Sequence, residues 1–173
     1  MLDIFAALIL SAPSIWLLAT IPPLWRDVDA YNQVTVSPVR TTYLGHGPLY
    51  PFVARLPLWI GAQFEAIRSG SFHAFSADLM QPRLTDPGVF LLILLQQAAF
   101  VFASWLLIAT ISRRPLVRIA LAVLWTGATA FYTLAHCVGS ETLSLICTLL
   151  LAAAGLKLVR RSRAPVRAWK WFA

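Results

Sequence analysis

Charged side chains are scarce in this chain of 173 residues. Only 12% of the residues are charged, whereas 59% are apolar. A soluble domain carries about 25% charged residues, so this chain has too little polar surface to cover a globule in water. An apolar run of about 20 residues crosses a bilayer as a helix. The composition therefore predicts an all-α polytopic membrane protein, with the lipid bilayer as its solvent.

Cysteines and standard catalytic patterns are also scarce. The two cysteines, Cys137 and Cys147, would stand about 15 Å apart on one helix, too far for a disulfide, and we interpret both as packing residues. The sequence contains no Ser/His/Asp arrangement, no glycine-rich phosphate loop and no cysteine-based zinc pattern. None of the usual motifs of a hydrolase, a nucleotide-binding protein or a zinc protein is therefore available.

Basic residues are concentrated at particular places. The net charge is +7, and six of the 14 basic residues follow position 156. Three more are Arg113, Arg114 and Arg118. This distribution is a signal of membrane topology rather than a nucleic-acid footprint, and we expect no nucleic-acid partner. The positive-inside rule places this basic loop and both termini in the cytoplasm, and the long loop 26–87 outside.

Four apolar runs predict the membrane spans. They cover about residues 4–25, 88–111, 119–135 and 139–159, followed by a basic cytoplasmic tail at 160–173. No basic segment precedes the first run, so we expect it to remain as a membrane helix rather than to be cleaved as a signal peptide. The chain is thus predicted to be a single membrane domain.

The outer loop contains a further apolar stretch. Residues 47–70 hold three prolines and Arg55, yet they are too apolar for a solvated loop. We predict an interfacial helix over about 47–67, with its apolar side toward the bilayer. A re-entrant segment is the alternative.

Two of the seven acidic residues, Asp27 and Asp29, lie in the stretch "RDVDAY", residues 26–31. On an extended segment both carboxylates face the same side and could share an ion, whereas on a helix they diverge by about 200°. Two interpretations stay open. The aspartates are either the N-cap and first-turn acid of a short surface helix, or the carboxylates of an active site.

Glu141 stands at the predicted outer start of the last span. It is either a helix-start acid or the lining of a cavity, because a carboxylate against lipid is costly. The predicted topology puts Glu141, both aspartates, His46 and His136 on the same outer side. No histidine pair has the spacing of a known metal-ligand motif. Arginines of the outer loop, such as Arg55, could hold a lipid phosphate.

The order of these features resembles the GT-C superfamily of membrane glycosyltransferases, which use polyprenyl-phosphate sugars as donors. The acidic motif "RDVDAY" follows the first span, and "GHGPLYPFVARL" (45–56) is similar to the family's "HPPLYP" stretch. The run "GVFLLILLQQAAFVFASWLLIATISRRP" (88–115) resembles the next family helix with its basic cytoplasmic turn. The segment "GSETLSLICTLLLAAAGL" (139–156) is similar to the Ser-Glu opening of a later helix.

This resemblance implies that the chain transfers a sugar from a polyprenyl-phosphate donor at the outer face of a bacterial inner membrane. It implies that Asp29 or Asp27 is the catalytic base or orients the acceptor hydroxyl. Some family members use a divalent metal at the acidic motif, which here would be held by the same two aspartates. The residues expected to bind substrate are Glu141, His46, Tyr31 and Arg26.

The chain departs from the family in length, because typical members have many more spans. We therefore expect a fragment, a degenerate relative, a small protein that retains only the lipid-binding half, or one part of a split enzyme that an additional membrane chain completes. The rival interpretation is a non-catalytic small membrane subunit or scaffold that binds lipid or partner helices. In that case the acids are helix caps.

Overall fold

The computed structural model describes residues 2–25, 28–35, 49–70 and 82–162, and these are mostly helical. Two short strands, β1 and β2, pair in parallel. The elements in chain order are α1 (Leu2–Thr20), β1 (Leu24–Trp25), α2 (Val28–Thr35), α3 (Leu49–Ser69), α4 (Asp86–Ile111), α5 (Pro115–Thr126), α6 (Thr129–His136), β2 (Cys137–Val138) and α7 (Ser140–Ser162). The prediction of a mainly α-helical architecture is confirmed, since nearly all of the described residues lie in helices.

Three of the described helices are long and apolar enough to cross a membrane, namely α1, α4 and α7. Their large side chains face outward as well as inward; Phe5, Leu8, Trp16 and Leu151 are each more than half exposed. A helix that is apolar on all sides is either buried in a large core or in contact with lipid. These helices therefore indicate an integral membrane protein.

The predicted third span, 119–135, coincides with two helices rather than one. Helices α5 and α6 are long and apolar enough to cross a membrane only when the two are taken together, and the pair is bent by 68° at the break between them. The break falls at Gly127 and Ala128. Glycine is a poor helix former, and no apolar pattern marks such a bend. The described residues thus contain three candidate spans, or four if the bent pair is one.

Helix α4 is central, with α1, α3, α5, α6 and α7 packed around it. It begins after Thr85, whose Oγ1 accepts a hydrogen bond from the Gly88 N–H at 3.2 Å. Its two buried glutamines need polar partners in an apolar bundle. Gln97 Oε1 accepts from the Ser14 hydroxyl of α1 at 2.6 Å, and Gln97 Nε2 donates to the Tyr132 carbonyl of α6 at 3.1 Å.

Helices α3 and α4 touch through their backbones. A Cβ on Gly61 would lie 2.1 Å from Gly88 Cα, closer than any side chain permits. This approach lets Leu58 on α3 pack beside Val89 and Leu92 on α4 in one buried cluster. The sequence predicts a helix over 47–67, and the structure has α3 over Leu49–Ser69.

Candidate functional site

The candidate site is built around the two parallel strands, β1 and β2. Leu24 pairs with Cys137, and Trp25 pairs with Val138. Strand β1 immediately precedes the acidic motif, while β2 lies just before Glu141. The pairing therefore brings the entry to the acidic motif beside the entry to α7. We call the two segments, residues 21–25 and 136–141, the strand junction.

A buried hydrogen-bond chain holds the strand junction to α3 and α4. Gln96 Nε2 donates to the Cys137 carbonyl at 3.0 Å, and the Tyr50 hydroxyl donates to Gln96 Oε1 at 3.0 Å. The Gly139 N–H in turn donates to Tyr50 Oη at 2.9 Å. Each of these polar groups is thus satisfied away from water, as buried polar groups must be. These hydrogen bonds hold in place the backbone between the end of β2 and the start of α7.

The Glu141 side chain lies back over the turn at Gly139. A Cβ on Gly139 would come 2.6 Å from Glu141 Oε2, so the carboxylate occupies the space that a side chain would need. Burial raises the pKa of the Tyr50 phenol, the Gly139 N–H opposes this effect, and the nearby Glu141 charge raises the pKa further. The junction thus combines a half-buried carboxylate with a phenol that keeps its proton at neutral pH.

His136 ties the end of α1 to the same place. The ring is almost fully buried, and its Nε2 lies 3.0 Å from the Ile21 carbonyl oxygen and 3.2 Å from that of Pro22. Carbonyl oxygens only accept hydrogen bonds, so Nε2 carries a hydrogen. His136 therefore satisfies carbonyls left without helical partners where α1 ends. Among the residues described, no three His, Cys, Asp or Glu side chains are grouped so as to hold a metal ion.

Of the residues predicted to form the site, Tyr31 and Glu141 lie at this end of the bundle. Tyr31 is half exposed on α2, and its ring centroid is 5.7 Å from that of Trp25 in β1. Asp29 is the second residue of α2, a first-turn position. The remaining predicted residues, Arg26, Asp27 and His46, lie outside the described part of the chain.

Sequence analysis considered Arg55 only as a candidate to hold a lipid phosphate, whereas in the structure it supports the junction from behind. Arg55 on α3 is 1% exposed, and its Nη1 donates to the Val34 carbonyl at the end of α2. A guanidinium is buried only where hydrogen bonds and charge compensate its desolvation. Arg55 thus links α3 to the helix that carries Asp29. The available signal was a charged residue flanked on both sides by apolar residues.

Comparison of the chain with protein-family models, with curated proteins and with solved structures finds no match.

Proposed function

We propose that this chain is a GT-C-like glycosyltransferase module with its site at the strand junction. The observation that carries the proposal is the parallel pairing of β1 with β2, since it supports a common location for the acidic motif and Glu141. A half-buried carboxylate and an exposed tyrosine at one end of a membrane bundle suit an acceptor that arrives from water. The donor would be a polyprenyl-phosphate-linked sugar that arrives from the bilayer.

The chemistry assigned to the site is a direct displacement. The acceptor hydroxyl oxygen forms a bond to the anomeric carbon of the sugar while the bond from that carbon to the phosphate oxygen breaks. The polyprenyl phosphate leaves with the bonding electrons, and Asp29 or Asp27 takes the acceptor proton. A carboxylate can do this only within hydrogen-bond reach of the hydroxyl. Glu141, Tyr31, His46 and Arg26 would orient sugar and phosphate, and a divalent metal could bind the two aspartates.

The proposal includes an arrangement in the membrane. Helices α1, α4, the bent α5–α6 pair and α7 would be four spans in a bacterial inner membrane, with both termini cytoplasmic. Helix α3 would lie in the outer interface. Its exposed face supports this, because Phe52, Leu56, Phe64 and Ile67 are each more than half exposed while its small residues pack on α4. Contact between an apolar face of this kind and lipid acyl chains is favourable, whereas its contact with water is unfavourable.

The decisive experiment is sugar transfer in vesicles that contain the protein and a radiolabelled polyprenyl-phosphate-linked hexose. We expect Asp29→Asn to abolish transfer while expression stays normal, since it keeps size and removes charge. Asp86→Asn is the matched control, because Asp86 also stands in the first turn of a helix. It lies about 15 Å along α4 from Gln96. Full transfer by both Asp29→Asn and Asp27→Asn would refute the assignment of the base.

A non-catalytic membrane subunit is the second candidate, and the first-turn position of Asp29 in α2 favours it. A carboxylate in the first turn of a helix interacts favourably with the helix dipole and stabilises the helix by about 0.3–1 kcal/mol. On this alternative, Asp29→Asn and Asp86→Asn would lower stability to similar extents, and the wild type would show no sugar transfer in the vesicle assay. Native mass spectrometry of the chain extracted from its own membrane supplies a second criterion. A larger partner chain retained with a polyprenyl phosphate favours the split transferase.

A further inference from the structure

A groove opens between α4 and α7 near the ends of these helices that are remote from the strand junction. Its volume is about 930 Å³, and its wall includes Trp105, Leu106, Ala109 and Leu158. Volumes of about 300–1,000 Å³ are typical of sites for small ligands. Thr110 on the groove is about 20 Å along α4 from Gln96 of the junction. The groove is therefore separate from the proposed transferase site.

Three cations stand along this groove: Arg113, Lys157 and Arg160. Arg160 is held in place, since its guanidinium donates to the Thr110 carbonyl and, at 2.7 Å, to the Ile111 carbonyl. These are among the last carbonyls of α4, which have no helical partner of their own. The guanidinium therefore has a fixed position at one end of an apolar groove.

The other two cations have no anionic partner within the described ranges. Arg113 and Lys157 form neither an ion pair nor a side-chain hydrogen bond there. Asp3 lies at this end of the bundle, but it is already paired with another cation, because its Oδ1 is 2.7 Å from Nη1 of Arg118. The groove thus has an excess of positive charge that a bound anion would balance.

We propose that this groove binds one anionic phospholipid. Its phosphate would lie among the three cations, and an acyl chain would cover the apolar wall beside Trp105 and Leu158. Arginine and lysine side chains at a membrane surface attract anionic headgroups, and basic pockets between membrane helices hold them. A free phosphate would leave the apolar wall uncovered, whereas a lipid satisfies both parts of the groove.

The test is lipid titration followed by native mass spectrometry of the full chain in a neutral detergent. Phosphatidylglycerol and phosphatidylcholine with identical acyl chains are the two probes. We expect the wild type to retain one phosphatidylglycerol in preference to phosphatidylcholine. Each cation near an anionic lipid strengthens binding about fivefold, so Arg113→Gln with Lys157→Gln should weaken phosphatidylglycerol binding about 30-fold.

The matched control removes the same net charge elsewhere. Arg114→Gln with Arg68→Gln changes one arginine of the same loop and one at the end of α3, and neither residue lines the groove. This pair should weaken binding by less than about threefold if the site is local. Equal losses in the two double variants would mean diffuse attraction and would overturn the proposal. Absence of any preference for phosphatidylglycerol in the wild type would also overturn it.

A steric variant tests the apolar part of the groove without changing any charge. Ala154 lines the groove and is exposed, so Ala154→Phe places a ring where the acyl chain should lie while leaving the described packing in place. We expect it to reduce retention of phosphatidylglycerol at least tenfold, with an unchanged helical circular dichroism spectrum. Undiminished retention would show that no acyl chain occupies the groove.

Discussion

The contact between Gly61 and Gly88 supports a sharp prediction about stability. In Gly61→Ala the new methyl group would meet Gly88 Cα and N at 2.1 Å, whereas ordinary contact begins near 3.4 Å. The nearby atoms belong to backbone, so no side-chain rotation can relieve the clash. Helices α3 and α4 must separate by more than 1 Å, which loosens the cluster around Leu58, Val89 and Leu92.

The magnitude follows from two opposing effects. Alanine is a better helix former than glycine by about 1 kcal/mol. Overpacking of a rigid contact costs about 1–3 kcal/mol, with occasional larger values. Because both partners are backbone, we expect the upper part of that range and a net destabilisation of about 1–2 kcal/mol. Unfolding in a graded mixture of mild and denaturing detergent, followed by helical circular dichroism, measures it.

A second glycine provides the control for this experiment. A Cβ on Gly155, within α7, would meet nothing within 4 Å. Gly155→Ala should therefore be neutral or stabilising by up to about 1 kcal/mol. If Gly61→Ala unfolded at the same detergent ratio as the wild type, the close crossing of α3 and α4 would be wrong. If Gly155→Ala were equally destabilising, the effect would not come from that crossing.

Two further predictions concern Tyr50. Tyr50→Phe leaves the buried Gln96 oxygen and the Gly139 N–H without their partner, and it should lower the free energy of unfolding by about 1–3 kcal/mol. Tyr31→Phe, at a half-exposed ring, should change stability by less than about 0.5 kcal/mol in the same assay. Because folding raises the pKa of Tyr50 above its usual 10.0, the folded state holds this proton more tightly than the unfolded state. The contribution of Tyr50 is therefore fully present below about pH 10 and is lost as the pH rises further. Above that pH, the free energy of unfolding of the wild type should fall more steeply with pH than that of Tyr50→Phe. Equal pH dependence in the two proteins would contradict the burial of the Tyr50 phenol.

The helices could be predicted largely from the sequence because their signals are local. Long apolar runs predicted α1, α4 and α7 to within a few residues, and the capping Thr85 marks the start of α4. The bend between α5 and α6 could not be predicted in this way. The run 119–135 contains no charged residue, and a hydropathy pattern contains no information about a change of direction.

The candidate site was predictable only in part. The predicted topology put Glu141 at the outer end of the bundle, and the family resemblance added Tyr31; the structure has both near the strand junction. Tyr50, Arg55 and Gln96 support that junction, yet the resemblance assigned none of them a role in the site. Their importance comes from partners distant in sequence; 46 positions separate Tyr50 from Gln96.

The sequence by itself determined the class of this protein: a helical membrane chain whose basic residues gather at the α4–α5 turn and in the C-terminal tail. Composition and local hydropathy are sufficient for that, because the bilayer acts on each helix separately. Only the tertiary structure decided that the end of α1 meets the end of α6, through contacts such as that between His136 and Ile21, 115 positions apart. The physical reason is that backbone groups without helical partners must find acceptors and donors inside the bundle. Which ones they find depends on how all the helices pack.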